Sequence, residues 1–192
     1  MIPPDEVIQL AVDINKTLPE TAADDYLLDA RTCIPHITLL PGLIAREQLS
    51  EVVSKLGVLA EQFSALNLKI THIKTSARPD GKAIAGLEIE KTPALQKLHQ
   101  AILDATSTLF TYNNVQKEMF YSPPPVNEIP LFWLRGFAKN NVRENYKPHI
   151  TLGMGEPKPI AAPIQFRAST LALGHLGNYG TCRKIFWSVS LV

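Results

Sequence analysis

Pro35-His36-Ile37-Thr38-Leu39 recurs without a change as Pro148-His149-Ile150-Thr151-Leu152. Gly42 and Gly155 each fall three residues beyond the end of a copy. A separation of 113 residues is too wide for a solenoid period and suits two halves of one fold. Apolar and β-branched content predicts a strand for both copies, over Cys33–Leu40 and Pro148–Gly153. Strand side chains alternate faces, so His36 and Thr38 share one face, as do His149 and Thr151. Ile37, Leu39, Ile150 and Leu152 then point back into the core. Two such strands set side by side about a pseudo-twofold would line a cleft with two imidazoles and two hydroxyls.

That set meets the needs of phosphodiester chemistry. One group must take a proton from the attacking water or hydroxyl, and another must give one to the leaving oxygen. Histidine, with an ordinary pKa of about 6.5, does either near neutrality. Thr38 and Thr151 can donate hydrogen bonds to the non-bridging phosphate oxygens. A lone His-x-Thr would be read as a strand histidine satisfied in the core. Exact repetition, one copy per half, favours a catalytic pair.

The rest of the chain frames those strands. Val7–Asp13 reads as a short strand and Asn15–Arg31 as a polar, irregular stretch. Leu49, Val52, Val53, Leu56, Leu59, Ala60 and Phe63 have helical spacing within 46–63. Leu66–Thr75 and Lys82–Glu90 read as a hairpin around Arg78-Pro79-Asp80-Gly81. Thr92-Pro93 opens a helix running to about Phe110. Thr111–Lys147 is a long insertion with Pro123-Pro124-Pro125 and several aromatics. Ile164–Leu173 and Cys182–Leu191 read as a last hairpin around Gly177-Asn178-Tyr179-Gly180. Runs of antiparallel strands with two intervening helices predict α+β rather than a doubly wound parallel sheet.

With its two His-x-Thr-apolar motifs, each preceded by proline, the sequence resembles the two-histidine phosphoesterase superfamily, of the 2′-5′ RNA ligase and cyclic phosphodiesterase type. The resemblance covers most of the chain. It implies a bilobal α+β fold, two antiparallel sheets with flanking helices around a central cleft, and hydrolysis or ligation at 2′,3′-cyclic or 2′–5′ phosphates. By that likeness His36 and His149 are the acid–base pair, and Thr38 and Thr151 bind phosphate. One departure stands out. Many members carry a helix after the second motif, whereas Gly155, Pro157, Pro159 and Pro163 forbid one here.

Other side chains are weaker candidates for substrate binding. Lys147 shares the parity of His149 and could neutralise phosphate, though a strand-end lysine is as good a reading. Tyr146 has the opposite parity and reads as core. Arg135, Lys139, Arg143 and Lys147 would form a basic stripe on a helix, but a solvated face is favoured. Tyr121 is the first choice for stacking on a base among Phe120, Tyr121, Phe132 and Trp133. Tyr179 and Arg183 are candidate rim contacts. His72, His99 and His175 have no partner motif, and no HxH or HExxH occurs, so neither metal nor cofactor is expected.

Composition sets the outer limits. In 192 residues, 19 Lys and Arg stand against 18 Asp and Glu, a net charge of +1. That disfavours a broad basic surface for long duplexes and favours a nucleotide or RNA terminus held by local charges. The whole chain reads as one domain of two lobes and as a monomer, with 45% hydrophobic and 19% charged residues. No run of about 18 apolar residues marks a membrane span. Met1–Leu10 lacks a basic n-region, and Cys33 and Cys182 read as free thiols. Cytoplasm is the default compartment, with the nucleus open.

Overall fold

The computed structural model describes residues 1–18, 26–77, 81–122 and 125–192. Its elements, in chain order, are α1 (Asp5–Lys16), β1 (Leu43–Ile44), α2 (Leu49–Ala60), β2 (Leu66–Ala77), β3 (Ala83–Ile89), α3 (Pro93–Thr106), β4 (Phe110–Thr111), α4 (Ile129–Asn140), β5 (His149–Met154), β6 (Ile164–Ala168), β7 (Thr170–Leu176) and β8 (Cys182–Ser190). The fold is α+β and bilobal. One lobe is built on the antiparallel sheet β5-β3-β2-β6, with α1 packed against β5. The other is built on the β7–β8 hairpin, against which α2 packs, with α3 beside α2. One contiguous core runs through both and includes Ile37, Leu39, Ile150 and Leu152. A satellite cluster of Val115, Phe120, Val126, Leu131 and Leu134 lies under α4.

Several expectations are corrected. Val7–Asp13 is not a strand but the middle of α1, whose buried Val7, Ile8, Ala11, Val12 and Asn15 recur at helical spacing. Asp5 and Glu6 in its first turn and Lys16 in its last suit the helix dipole. Cys33–Leu40 forms no regular strand. It is held by isolated antiparallel bridges, Ile34 with Cys182 and Ile37 with Ile150, and by two main-chain bonds between Ile37 and Met1. Pro35 and Pro41 supply no N–H, so a continuous ladder cannot form there. The helix expected over 46–63 is a 3-10 turn, Arg46–Gln48, followed by α2. The helix from Thr92 stops at Thr106, four residues short of the expected end, and Phe110 enters β4. Its start is as read, with the Thr92 hydroxyl accepting from the Leu95 N–H.

Ile164–Leu173 is two strands. β6 pairs with β2, and only β7 pairs with β8 across the expected Gly177–Gly180 turn. The 111–147 insertion holds a helix of its own, α4, started by Pro130 in its first turn and docked through Leu131, Leu134 and Phe137. Gly136 does not break it. The basic stripe does not form, because Arg135 and Lys139 lie on α4 while Arg143 sits in a separate 3-10 turn and Lys147 in extended chain. The 66–90 hairpin forms as expected, β2 against β3, while Arg78, Pro79 and Asp80 of its turn lie outside the described residues. Pro123 and Pro124 lie outside them too, as does part of the Asn15–Arg31 stretch, residues 19–25.

Candidate active site

The two motif copies meet along a single seam. Ile37 stands opposite Ile150 in an antiparallel bridge. That register sets His36 opposite Thr151 and Thr38 opposite His149. Directly opposed residues lie about 5 Å apart at Cβ and diagonal ones about 7–8 Å, all within side-chain reach. The two imidazoles therefore occupy one diagonal of a quartet and the two hydroxyls the other, around a local twofold through the isoleucine pair. Ile37 and Ile150 are fully buried beneath it.

Each imidazole is fixed in the same way. Nδ1 of His36 lies 2.9 Å from the Ile34 carbonyl, and Nδ1 of His149 lies 2.9 Å from the Lys147 carbonyl. A carbonyl only accepts, so in both rings Nδ1 carries the proton and donates it, leaving Nε2 for exchange with a ligand. The intervening Pro35 and Pro148 fix φ, which gives the repeated prolines a physical role.

The threonine strands are bracketed by tyrosines. The Tyr146 hydroxyl donates to the Thr38 carbonyl at 3.2 Å, and its ring stacks on His99 at 4.1 Å. His99 is buried with both nitrogens engaged, Nδ1 at 2.8 Å from the Leu39 carbonyl and Nε2 accepting from the Arg143 N–H. Burial holds its pKa below the ordinary value, so this histidine is structural. On the other side, the buried Tyr26 hydroxyl hydrogen bonds with the Thr151 side chain, and burial pushes its pKa up. Asn15 places Tyr26 by donating to both the Tyr26 and Leu152 carbonyls. Tyr26 lies in the stretch read as irregular, and no periodic signal marks it.

The two histidines differ in surroundings. His36 is half-buried and lines a cavity of about 940 Å³ with Leu40, Ile44, Phe110, Phe120 and Phe186 among its walls. Desolvation lowers its pKa from the usual 6.5 to about 4, helped by the nearby Met1 amino group and by repulsion from His149. His149 is exposed on the open face of the four-stranded sheet, with Glu88 directly opposite on β3. Gly86, opposite Thr151, leaves room for the ring: a Cβ there would stand 3.2 Å from the Ile150 carbonyl and 3.7 Å from His149 Cδ2. Strand parity in the 82–90 hairpin could have pointed to Glu88 and Gly86, had the strand order been known.

The other candidates scatter. Lys147 is exposed, and it meets the site through its carbonyl, which holds His149. Tyr121 packs edge-on against His175 at 5.8 Å, while its neighbours Met119 and Phe120 line the cavity. Tyr179 lies against Tyr26 at 6.0 Å, at φ 57° in the β7–β8 turn. Arg183 donates to the Thr181 hydroxyl at 2.8 Å and stands close enough to Tyr26 and Cys33 to stabilise their anionic forms. Cys33 and Cys182 are buried free thiols, and burial raises Cys33 to about 12. Tyr146 is core, as its parity predicts. Among the described residues no group of three or more His, Cys, Asp and Glu side chains could hold a metal ion, and no helix is long and apolar enough to cross a membrane.

The family model described as the 2′-5′ RNA ligase superfamily matches residues 3–173. The fold is similar to the crystal structure of TT0787 of Thermus thermophilus, with a TM-score of 0.62 and 16% identity, covering 98% of this chain and 93% of that one. At that identity the likeness is one of fold. No curated protein matches the chain.

Proposed function

The chain belongs to the 2′-5′ RNA ligase superfamily, one of the two-histidine phosphoesterases, and from that premise we propose that it is a metal-independent phosphodiesterase. Its substrate is a 2′,3′-cyclic phosphate or a 2′–5′ linkage at a nucleotide or RNA end. The observation that carries this reading is the Ile37–Ile150 pairing, the register that brings the two motif copies side by side.

A phosphate on the local twofold has an imidazole on either side, as in-line displacement requires. His36, neutral near pH 7 because of its apolar surroundings, takes the proton from the attacking water. The water oxygen bonds to phosphorus as the bond to the leaving sugar oxygen breaks, and His149 Nε2 gives that oxygen a proton. Thr38 and Thr151 donate to the non-bridging oxygens, where negative charge builds. The hydrogen bond between the buried Tyr26 hydroxyl and the Thr151 side chain holds that threonine in place beside the phosphate.

The family description favours a second reading, 2′–5′ ligation, which joins a cyclic phosphate end to a 5′-hydroxyl end at the same quartet. Incubation with 2′,3′-cyclic nucleotides, 2′–5′ oligoadenylate and paired RNA ends under chelator, followed by phosphorus NMR, separates the two. Hydrolysed monoesters support the diesterase, and a new 2′–5′ diester supports the ligase. Recovery of every substrate unchanged, or activity that appears only with added divalent metal, would sink the reading.

A further inference from the structure

Leu39 and Leu152 end the two motif copies, and the carbonyl of each is taken by a buried polar side chain from a helix. His99 of α3 donates from Nδ1 to the Leu39 carbonyl at 2.8 Å, and Asn15 of α1 donates from Nδ2 to the Leu152 carbonyl at 2.6 Å. Both side chains then accept from a backbone N–H of a second segment. His99 Nε2 takes the Arg143 N–H at 3.0 Å, and Asn15 Oδ1 takes the Leu28 N–H at 2.9 Å. Each of those segments carries a tyrosine that reaches the threonine of the same copy. Tyr146 donates to the Thr38 carbonyl at 3.2 Å, and Tyr26 hydrogen bonds with the Thr151 side chain. The local twofold of the quartet thus extends outward through two more positions, although Asn15 and His99 share neither residue type nor flanking sequence.

We infer that Asn15 and His99 are positioning residues of the reaction, each locking a tyrosine-bearing segment against the threonine of one copy. The inference rests on the reading of the quartet as the site of cleavage. The arrangement is crossed. Residues 143–146 lead into the second copy yet hold the first, and residues 26–28 precede the first copy yet hold the second. Asn15 is 1% and His99 0% exposed, and a polar group left unpaired at such a depth is costly. Both are paired instead. Asn15 Nδ2 also donates to the Tyr26 carbonyl at 2.9 Å, and stacking on Tyr146 at 4.1 Å fixes the plane of the His99 ring. A carbonyl on one side and an N–H on the other call for a group that donates and accepts at once, as asparagine and neutral histidine do. Apolar packing alone could bury these segments. Directed bonds at the leucine carbonyls fix the place of the neighbouring threonine, which a working site needs to within about 0.5 Å.

The test is a set of double-variant cycles on kcat per folded molecule, with the folded fraction read from urea unfolding. Asn15→Ala and His99→Phe should each lower kcat about tenfold, short of the roughly 10²-fold that a misplacement of about 1 Å can cost. On a Thr151→Val background Asn15→Ala should cost almost nothing further, and on Thr38→Val it should keep its full cost. His99→Phe should do the reverse. A merely structural brace lowers stability on every background and shows no such pattern. Unchanged kcat per folded molecule, or equal losses on both backgrounds, would therefore overturn the inference. Where either variant fails to fold, Tyr26→Phe and Tyr146→Phe, which each remove one hydroxyl, carry the same cycles with losses of about 2- to 10-fold. The same two results overturn it there. If Thr38→Val and Thr151→Val themselves leave kcat at the wild-type value, the quartet reading falls and the inference with it. If they lower kcat and the losses do not couple within each copy, the inference alone falls.

Discussion

The two copies of Pro-His-Ile-Thr-Leu are identical in sequence and unlike in setting. The first is an extended segment pinned by isolated bridges and backed by an apolar cavity, and its histidine is half-buried. The second opens a regular strand, β5, on a polar sheet face, and its histidine is exposed. Local geometry is shared down to the Nδ1–carbonyl distance. What differs is solvation, and at His36 burial favours the neutral ring. Five residues therefore specify a hydrogen-bonded imidazole, while the surrounding fold assigns it a task. Equivalent settings would suit two interchangeable histidines; the unequal ones are what the proposed division into base and acid rests on.

The largest effect should come from removing either ring. His36→Ala and His149→Ala should each lower kcat by about 10²–10⁴, measured on the best cyclic nucleotide. The double variant should lose far less than the product of the two, since the rings act as a unit. Multiplying losses would break the pair into independent contributors. Next come the hydroxyls, with Thr38→Val and Thr151→Val expected to cost about 10²–10³ in kcat. Tyr26→Phe should cost only about 2- to 10-fold, since it removes one neutral hydrogen bond behind Thr151. A Tyr26→Phe loss as large as that of Thr151→Val would mean that the tyrosine itself meets the substrate.

The contrast between the copies predicts a pH signature. His36 must be neutral to accept a proton, and its pKa lies near 4 instead of 6.5. The acid limb of kcat/KM should therefore fall well below pH 6, toward 4. The stability effect has a definite sign. Between pH 6.5 and 4 the unfolded chain holds a proton on this residue that the folded one lacks, so the stabilisation is complete above 6.5 and is lost as pH falls. Urea unfolding between about pH 7 and 4.5 should show wild type losing more stability than His36→Gln. Equal losses would mean that the first copy is as wet as the second.

Much of the site was legible because strand parity is a rigid rule. It yielded the shared face of His36 and Thr38, the buried backs of both motifs and the exclusion of Tyr146. Short windows misled where periods overlap: Val7, Ile8 and Val12 are β-branched, yet their spacing continues through Asn15 as one helical face. At the end of the chain a strand pattern does not name its partner: Ile164–Leu173 reads as one strand facing Cys182–Leu191, whereas β6 pairs with β2. α4 was hidden by Gly136 and the prolines before it, its burial supplied by the satellite core. Tyr26 and Glu88 reach the site through register and long-range packing, which no local pattern carries.

The central claim is that one phosphate is held by both copies at once. The most direct test is a long-range proton–nitrogen NMR titration of ¹⁵N-histidine protein with adenosine 2′-phosphate. One equivalent should move the Nε2 resonances of His36 and His149 together along a single isotherm, while both Nδ1 atoms stay protonated. Movement of only one of the two rings, or two isotherms of different affinity, would contradict it.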